Sequence, residues 1–259
     1  MSRETISVVI LTMNYEAMIE EALKSAAGWA DEIVIIDGFS ADRTVEICRR
    51  YTDKIFQNKW DRVTYASERN LGIEKASCDW VLQIDPDERL TPEFKKTVSL
   101  ILEKGTPHVA FEFRKKNFFF GHWMRYGGWY HYSLHLFRRT RSRYEGILHL
   151  DLKTEGSVGK IEASVLHYPF DSFSVFLQKQ NWYSKKASEE ELVYRGRHSD
   201  KVLAYNLKAK PLKRFFKFYI RKKGFLDGEH GLIFCVLYAW VHFLNWAKYW
   251  ELLRQEKPQ

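Results

Sequence analysis

Residues 80–89 read WVLQIDPDER. Trp80–Ile84 is a short, almost wholly apolar run with the composition of a buried strand, and it ends abruptly at Asp85. Asp85, Asp87 and Glu88 then crowd three carboxylates into one tight turn. Carboxylates at i and i+2 can face a single hard divalent cation and leave room for phosphate oxygens. Taken alone, a D-x-D is more readily a solvated acidic turn that caps a helix, since the tripeptide is common. What lies around it decides between the two.

Working towards the N-terminus, the same alternation recurs. Ile6–Leu11 (ISVVIL) reads as a buried strand, Met18–Ala27 has helical spacing, and Glu32–Asp37 (EIVIID) is a second strand. A helix from about Asp42 to Tyr51, a short strand at Lys54–Gln57 and a helix over Tyr65–Ala76 lead back to the opening run. Strands alternating with helices predict an α/β fold, a mostly parallel sheet with helices on both faces. Such sheets take ligands at the carboxyl ends of their strands. LTMN (Leu11–Asn14), Asp37 and Asp85 sit at three such ends and outline a nucleotide-sized crevice. After Asp37, Gly38 permits a tight turn, and Ser40 or Asp42 can cap the next helix. Neither G-x-G-x-x-G nor a P-loop occurs, so a dinucleotide fingerprint is not supported.

Towards the C-terminus, Thr91–Glu103 should be a helix with Thr91 as N-cap and Pro92 at its first position. Residues 107–168 are rich in β-branched and aromatic side chains and should add antiparallel strands. Ser172–Glu191 reads as a helix, with Ser172 a candidate cap, and polar residues near 195–205 suggest a boundary. Three widely spaced cysteines, Cys48, Cys78 and Cys235, argue against a disulfide framework or a zinc ribbon and suit a reducing compartment. The apolar run near the N-terminus is too short for a signal peptide or a membrane span.

The net charge of the 259 residues is +8. From Lys201 to Gln259 there are 12 Lys/Arg against 4 Asp/Glu, so the whole excess lies in that stretch. Lys208–Lys223 (KAKPLKRFFKFYIRKK) holds eight basic residues, no acid, and interleaved Phe and Tyr. Gly231–Ala247 follows with 17 residues free of Asp, Glu, Lys and Arg, interrupted by His242 and Asn245. An interfacial or re-entrant segment on an anionic membrane surface fits this better than a spanning helix. A solvated basic face with a core helix is the plainer alternative. No nucleic-acid module accompanies the charge, so nucleic acid is not expected as a partner.

The motifs together resemble a known family. VVILTMN, EIVIIDGFSADRT and SERNLGIEKASCDWVLQIDPDERL look like glycosyltransferase family 2, the inverting nucleotide-sugar transferases of GT-A fold. That pattern is a strand ending T-x-N, a strand ending D-x-x-S-x-D, an R-N-x-G helix and a D-x-D after a strand; all four occur here in order. Downstream, GGWYHYSLHLFRR (Gly127–Arg139), EGILHLDL (Glu145–Leu152), VLHY (Val165–Tyr168) and KPLKRFFKFYIRKKGFLDGEHGL (Lys210–Leu232) resemble the branch of lipopolysaccharide-core glucosyltransferases.

The resemblance implies a transferase domain, taken as 1–198 from the polar boundary, and the charge pattern makes 199–259 a basic, helical, membrane-associating segment. The resemblance also implies transfer of a hexose from a UDP-sugar to a lipid-linked or lipopolysaccharide-core acceptor, on the cytoplasmic face of the membrane, as a peripheral or monotopic protein. Thr12, Asn14 and Asp37 would surround base and ribose, Arg69 would lie near the diphosphate, and Asp85 would contact ribose or metal. Asp87 would bind Mg²⁺ or Mn²⁺, with His167 as a further ligand. For Arg69 a plain helix-surface role, and for His167 a structural role, stay open. Trp129 and Tyr130 would stack on an acceptor sugar, or else pack in the core.

Two departures from the family pattern matter. Where relatives read H-E, this chain has His149-Leu150, so the expected carboxylate base is missing. If 145–151 is extended, Glu145, His149 and Asp151 share a face; Asp151 is the first choice of base and Glu145 the second. In the Trp-Tyr motif, His131 and Tyr132 replace Pro-Asp, and His135 stands where relatives have Arg. The alternatives are a transferase acting on a polyprenyl-linked oligosaccharide or polymer precursor, and a lapsed enzyme that only binds nucleotide or membrane.

Overall fold

The computed structural model describes residues 3–60, 66–145 and 151–255. In chain order the elements are β1 (Ile6–Thr12), α1 (Ile19–Ala26), β2 (Glu32–Asp37), α2 (Thr44–Cys48), β3 (Ile55–Gln57), α3 (Ala66–Lys75) and β4 (Trp80–Ile84). Then come β5 (Glu88–Arg89), α4 (Pro92–Lys104), β6 (Ala110–Phe119), β7 (His122–Trp123), β8 (Tyr132–Arg138), β9 (Ser142–Glu145), β10 (Asp151–Thr154) and β11 (Val158–Phe170). Helices α5 (Phe173–Arg195), α6 (Asp200–Ala204), α7 (Lys210–Phe216) and α8 (Gly228–Gln255) complete the order. The chain divides into two compact units: Met1–Lys116 with His131–His167, and Asn117–Tyr130 with Tyr168–Gln259. The polar stretch at 195–205 lies inside the second.

The first unit is built on a sheet in the order β3-β2-β1-β4-β8-β6-β11-β5. The pairs β2/β3, β1/β2 and β1/β4 are parallel, while β4/β8, β6/β8 and β5/β11 are antiparallel. Every residue of β1, β2 and β4 is buried, because helices cover both faces. On one face Ile6, Val8 and Ile10 pack with α1 and α4; on the other Val9 and Leu11 pack with Ile73 of α3. Gly72 is needed there, since a Cβ on it would meet Val9 Cγ1 at 2.5 Å. At the amino ends of the parallel strands, buried Glu32 gathers Lys54, Ser7 and Ser77.

Helix α4 starts as its sequence indicates: Thr91 Oγ1 accepts from Phe94 N at 3.1 Å and Pro92 follows. Helix α2 is shorter than the expected 42–51. Asp42 folds back on Thr44 and on Glu16 N, so the helix begins only after that turn.

In the second unit β7 pairs with the end of β6, and Ser172 caps α5 by accepting from Val175 N. Phe119, Met124, Phe176, Phe234 and Cys235 form its core. Asp227, of the FLDG motif, is buried and accepts from Arg125 N and Tyr126 N, at 3.3 and 2.9 Å. All three cysteines are buried and free.

Candidate functional site

The parallel register brings three strand ends to one edge. Thr12 lies opposite Asp37, and Ile10 lies opposite Ile84, the residue before Asp85. At the first end, Asn14 takes a left-handed backbone (φ 60°), donates its N–H to Ser40 Oγ and accepts from Ala41 N. At the second, fully buried Asp37 accepts from Ser40 N and Gln57 Nε2, each at 3.0 Å. Asp37 thus builds the turn that carries Phe39, itself left-handed (φ 60°) and exposed. Thr12 Oγ1 is buried and has no hydrogen-bond partner among the described residues.

The third end is the acidic turn. Glu88 N donates to Asp85 O at 2.9 Å and closes it. Arg89 braces it from outside, its guanidinium donating to the carbonyls of Pro86, Glu88 and Met18. The result sorts the carboxylates by depth: the side chains are 37% exposed for Asp85, 7% for Asp87 and 0% for Glu88. Pairing of Glu88 with His167 across β5/β11 sets that histidine beside the turn, with Nε2 3.5 Å from Asp87 Oδ1.

Two cations answer the acids. Arg69 Nη2 is 3.5 Å from Asp85 Oδ1, and Lys115 Nζ is 4.0 Å from Asp85 Oδ2 and pairs with Glu88. Helix α3 aims Arg69 through three consecutive features of its motif. Gly72 allows close approach to β1, Asn70 exchanges two 2.9 Å hydrogen bonds with the backbone of Tyr144, and Arg69 then lies over the Tyr144 ring. Burial alone would raise Asp85, but Lys115 and Arg69 hold its carboxyl well below the usual range. For Glu88 burial prevails: with Asp85 and Asp87 adding to it, the carboxyl is pushed up to about 7 despite Lys115. Within one turn, one carboxyl is thus held ionised by nearby cations while its buried neighbour is pushed towards the acid form.

Lys115 is the member that motif reading missed. Its signal is positional: on β6 it falls in register with inward-facing Phe111, Phe113 and Phe119, where a lysine needs a buried acid.

The two base candidates do not share one extended run. Glu145 ends β9 and Asp151 begins β10, and they are direct antiparallel partners. Cross-strand pairing, not alternation along a strand, sets them side by side. His149 and Leu150 fall outside the described residues. Asp151 lines a cavity of about 440 Å³ together with Arg69, His135 and Tyr144; its carboxylate is exposed and 3.3 Å from Lys153. Glu145 lines a different cavity of about 480 Å³ with Arg139, Arg141 and Arg143.

Trp129 and Tyr130 belong to the second unit. Trp129 stacks on Phe234 with ring centroids 4.8 Å apart, and Tyr130 meets the Trp123 ring edge-on. Core packing thus already accounts for much of Trp129's surface.

Among the described residues no three His, Cys, Asp or Glu side chains form a group able to hold a metal ion by themselves. Asp87 and His167 offer an oxygen and a nitrogen 3.5 Å apart, two donors of the six an octahedral ion takes. Mg²⁺ is typically held by one or two carboxylates plus substrate phosphates, a role open to Asp87, and the imidazole of His167 is the softer of the two donors.

The chain is similar to known proteins. The family model described as glycosyl transferase family 2 matches residues 7–162. An uncharacterised glycosyltransferase of Rickettsia felis is 24% identical over 98% of this chain and 92% of its own length. The lipopolysaccharide core biosynthesis glycosyltransferase LpsC of Rhizobium meliloti is 25% identical over 95% of this chain and 92% of its own. Among solved structures, TarS 1–349 of S. aureus in complex with UDP is similar at 16% identity and a TM-score of 0.49, over 98% of this chain and 92% of that one.

Proposed function

The chain belongs to glycosyl transferase family 2 and is a glycosyltransferase, and we propose that it moves a hexose from a UDP-sugar to a lipopolysaccharide-core or other lipid-linked glycan, with inversion. The observation that carries the reading is the gathering of Asp85, Asp87, Glu88, Arg69, Lys115 and His167 at the end of β4, beside Thr12 and Asp37. An acid cluster with its own cations suits a sugar diphosphate that arrives with a divalent metal. LpsC is named for lipopolysaccharide core biosynthesis, which supports the acceptor class.

In this reading Asn14, Asp37 and Thr12 shape the nucleoside end, Thr12 with a hydroxyl still free to bond. Arg69 and Lys115 face the diphosphate and offset charge as the UDP leaves. Asp87 and His167 would hold Mg²⁺ or Mn²⁺, which supplies Lewis-acid neutralisation of the leaving group when bound. Asp85, held ionised, reaches the ribose or the metal. Asp151 takes the proton from the acceptor hydroxyl as that oxygen attacks the anomeric carbon, leaving the anomer inverted. Its exposure suits a group that must meet an incoming acceptor. Glu145, its cross-strand partner, is the reserve candidate, and Trp129 and Tyr130 are the aromatic candidates for an acceptor sugar.

The second unit supports a membrane-bound acceptor. Leu212, Phe216 and Ile220, spaced by four residues, are each more than half exposed, among Lys213, Arg214, Lys217 and Arg221. Among the described residues one helical stretch, Gly224–Gln255, is long and apolar enough to cross a membrane, and 22% of its most apolar window is buried. An apolar stripe flanked by basic residues fits the interface of an anionic leaflet, where each cation contributes about 1 kcal/mol. Docking there from the cytoplasmic side would keep the enzyme on the surface that carries lipid-linked acceptors.

The test is UDP release from UDP-sugars with Mn²⁺ and lipid acceptors. Asp151→Asn should lower turnover roughly a hundredfold or more while UDP affinity is kept, because general-base catalysis contributes about 10²–10⁴. An unchanged rate would remove Asp151 from the chemistry. UDP binding with no turnover by the wild type would leave a binding protein only.

A further inference from the structure

The cavity shared by Arg69 and Asp151 has one more polar ring in its wall, His135 of β8. At about 440 Å³ it falls in the range of small-molecule sites, roughly 300–1,000 Å³. On the donor reading above, Arg69 marks the diphosphate end through Asp85, and Asp151 marks where the acceptor hydroxyl attacks. The transferred sugar has to lie between them, since its anomeric carbon is bonded to a phosphate oxygen on one side and attacked from the other. Of the side chains lining this space, His135 and Tyr144 each combine a hydrogen-bonding group with a ring, and the Tyr144 ring is already taken by the Arg69 guanidinium that lies over it.

The state of the His135 ring suits that place. Nδ1 is shut away from solvent and has no hydrogen-bond partner among the described residues. A buried nitrogen with no acceptor is less costly as a bare lone pair than as an N–H, so the proton belongs on Nε2. Phe113 lies against the imidazole with centroids 6.0 Å apart. Burial, with Lys115 and Arg69 close by, holds its pKa well below the usual histidine value. A neutral imidazole with one N–H does not compete with Arg69 and Lys115 for phosphate, but it can bond a hydroxyl.

We infer that His135 hydrogen-bonds a hydroxyl of the transferred sugar and determines which UDP-hexose the enzyme accepts. Sites that bond a substrate hydroxyl reject the analogue lacking or misplacing it far better than apolar pockets do. The inference rests on the donor reading, and one experiment separates the two.

Wild type, His135→Ala and His135→Gln are compared for UDP affinity by calorimetry. UDP release is then followed with UDP-glucose, UDP-galactose and UDP-N-acetylglucosamine in the presence of Mn²⁺. The wild type should favour one donor by about tenfold or more. His135→Ala should lose about tenfold in kcat/KM for that donor and narrow the preference to within about threefold, with UDP affinity within about twofold. His135→Gln, which keeps an N–H, should recover part of the preference. An unchanged donor ranking in His135→Ala would overturn the inference and leave the donor reading standing, as would a fall in UDP affinity matching the fall in kcat/KM. A wild type that consumes none of the three donors and binds no UDP would overturn both.

Discussion

Glu32 offers a sharp test of how the parallel strands are held. Its side chain is 6% exposed at the start of β2 and accepts from Lys54 beside β3, from Ser7 on β1 and from Ser77 just before β4. One carboxylate thus ties together all four parallel strands at the end opposite the site. Burial opposes its ionisation, but these bonds outweigh burial and lower the pKa from 4.5 to about 2. At about 1.36 kcal/mol per pH unit, that difference is on the order of 3 kcal/mol of stability. The sign follows from the direction: the folded pKa is depressed, so the contribution is complete above pH 5.5 or so and is lost as pH falls through 4.5 towards 2. By pH 3 roughly 2 kcal/mol of it should be gone. Urea unfolding of wild type and Glu32→Gln at pH 7 and pH 3 measures this. The variant should be about 3 kcal/mol less stable at pH 7, and the gap should shrink to about 1 kcal/mol at pH 3. A gap that stays constant between the two pH values would refute the reasoning.

Two further outcomes follow from packing and from surface chemistry. Gly72→Ala should destabilise the fold, since a Cβ 2.5 Å from Val9 Cγ1 imposes overpacking of about 1–3 kcal/mol against about 1 kcal/mol of helix propensity gained. UDP affinity should fall with it, because α3 carries Arg69; a more stable variant in urea unfolding would contradict this. Replacing both Phe216 and Ile220 by Glu should abolish sedimentation of the full chain with anionic vesicles while leaving UDP affinity unchanged, and undiminished sedimentation would remove that face from membrane binding.

Much of the parallel half is legible because local and long-range preferences agree there. β1, β2 and β4 are buried on both faces and so read as unbroken apolar runs, and Thr91 and Ser172 announce their helices through bonds made within three residues. The strand-end carboxylates are legible for the same reason. Harder to see are features set by partners distant in sequence. Lys115 has meaning only once β6 turns it towards Glu88, and Glu145 meets Asp151 only across the β9/β10 pair. The short α2 is a third case, its first turn taken by Asp42 in side-chain bonds that compete with helix. Trp129 shows a different limit: aromatic composition does not separate a sugar platform from a core residue, and stacking on Phe234 is long-range information.

The most direct measurement is a calorimetric titration of UDP into wild type and Asp87→Ala, each with and without Mn²⁺. The acid cluster at the end of β4, if it receives a metal and a diphosphate together, predicts wild-type affinity at least about tenfold higher with Mn²⁺, and loss of that increment in Asp87→Ala with the melting temperature retained. UDP binding that is absent, or equally tight without metal and in Asp87→Ala, would contradict it.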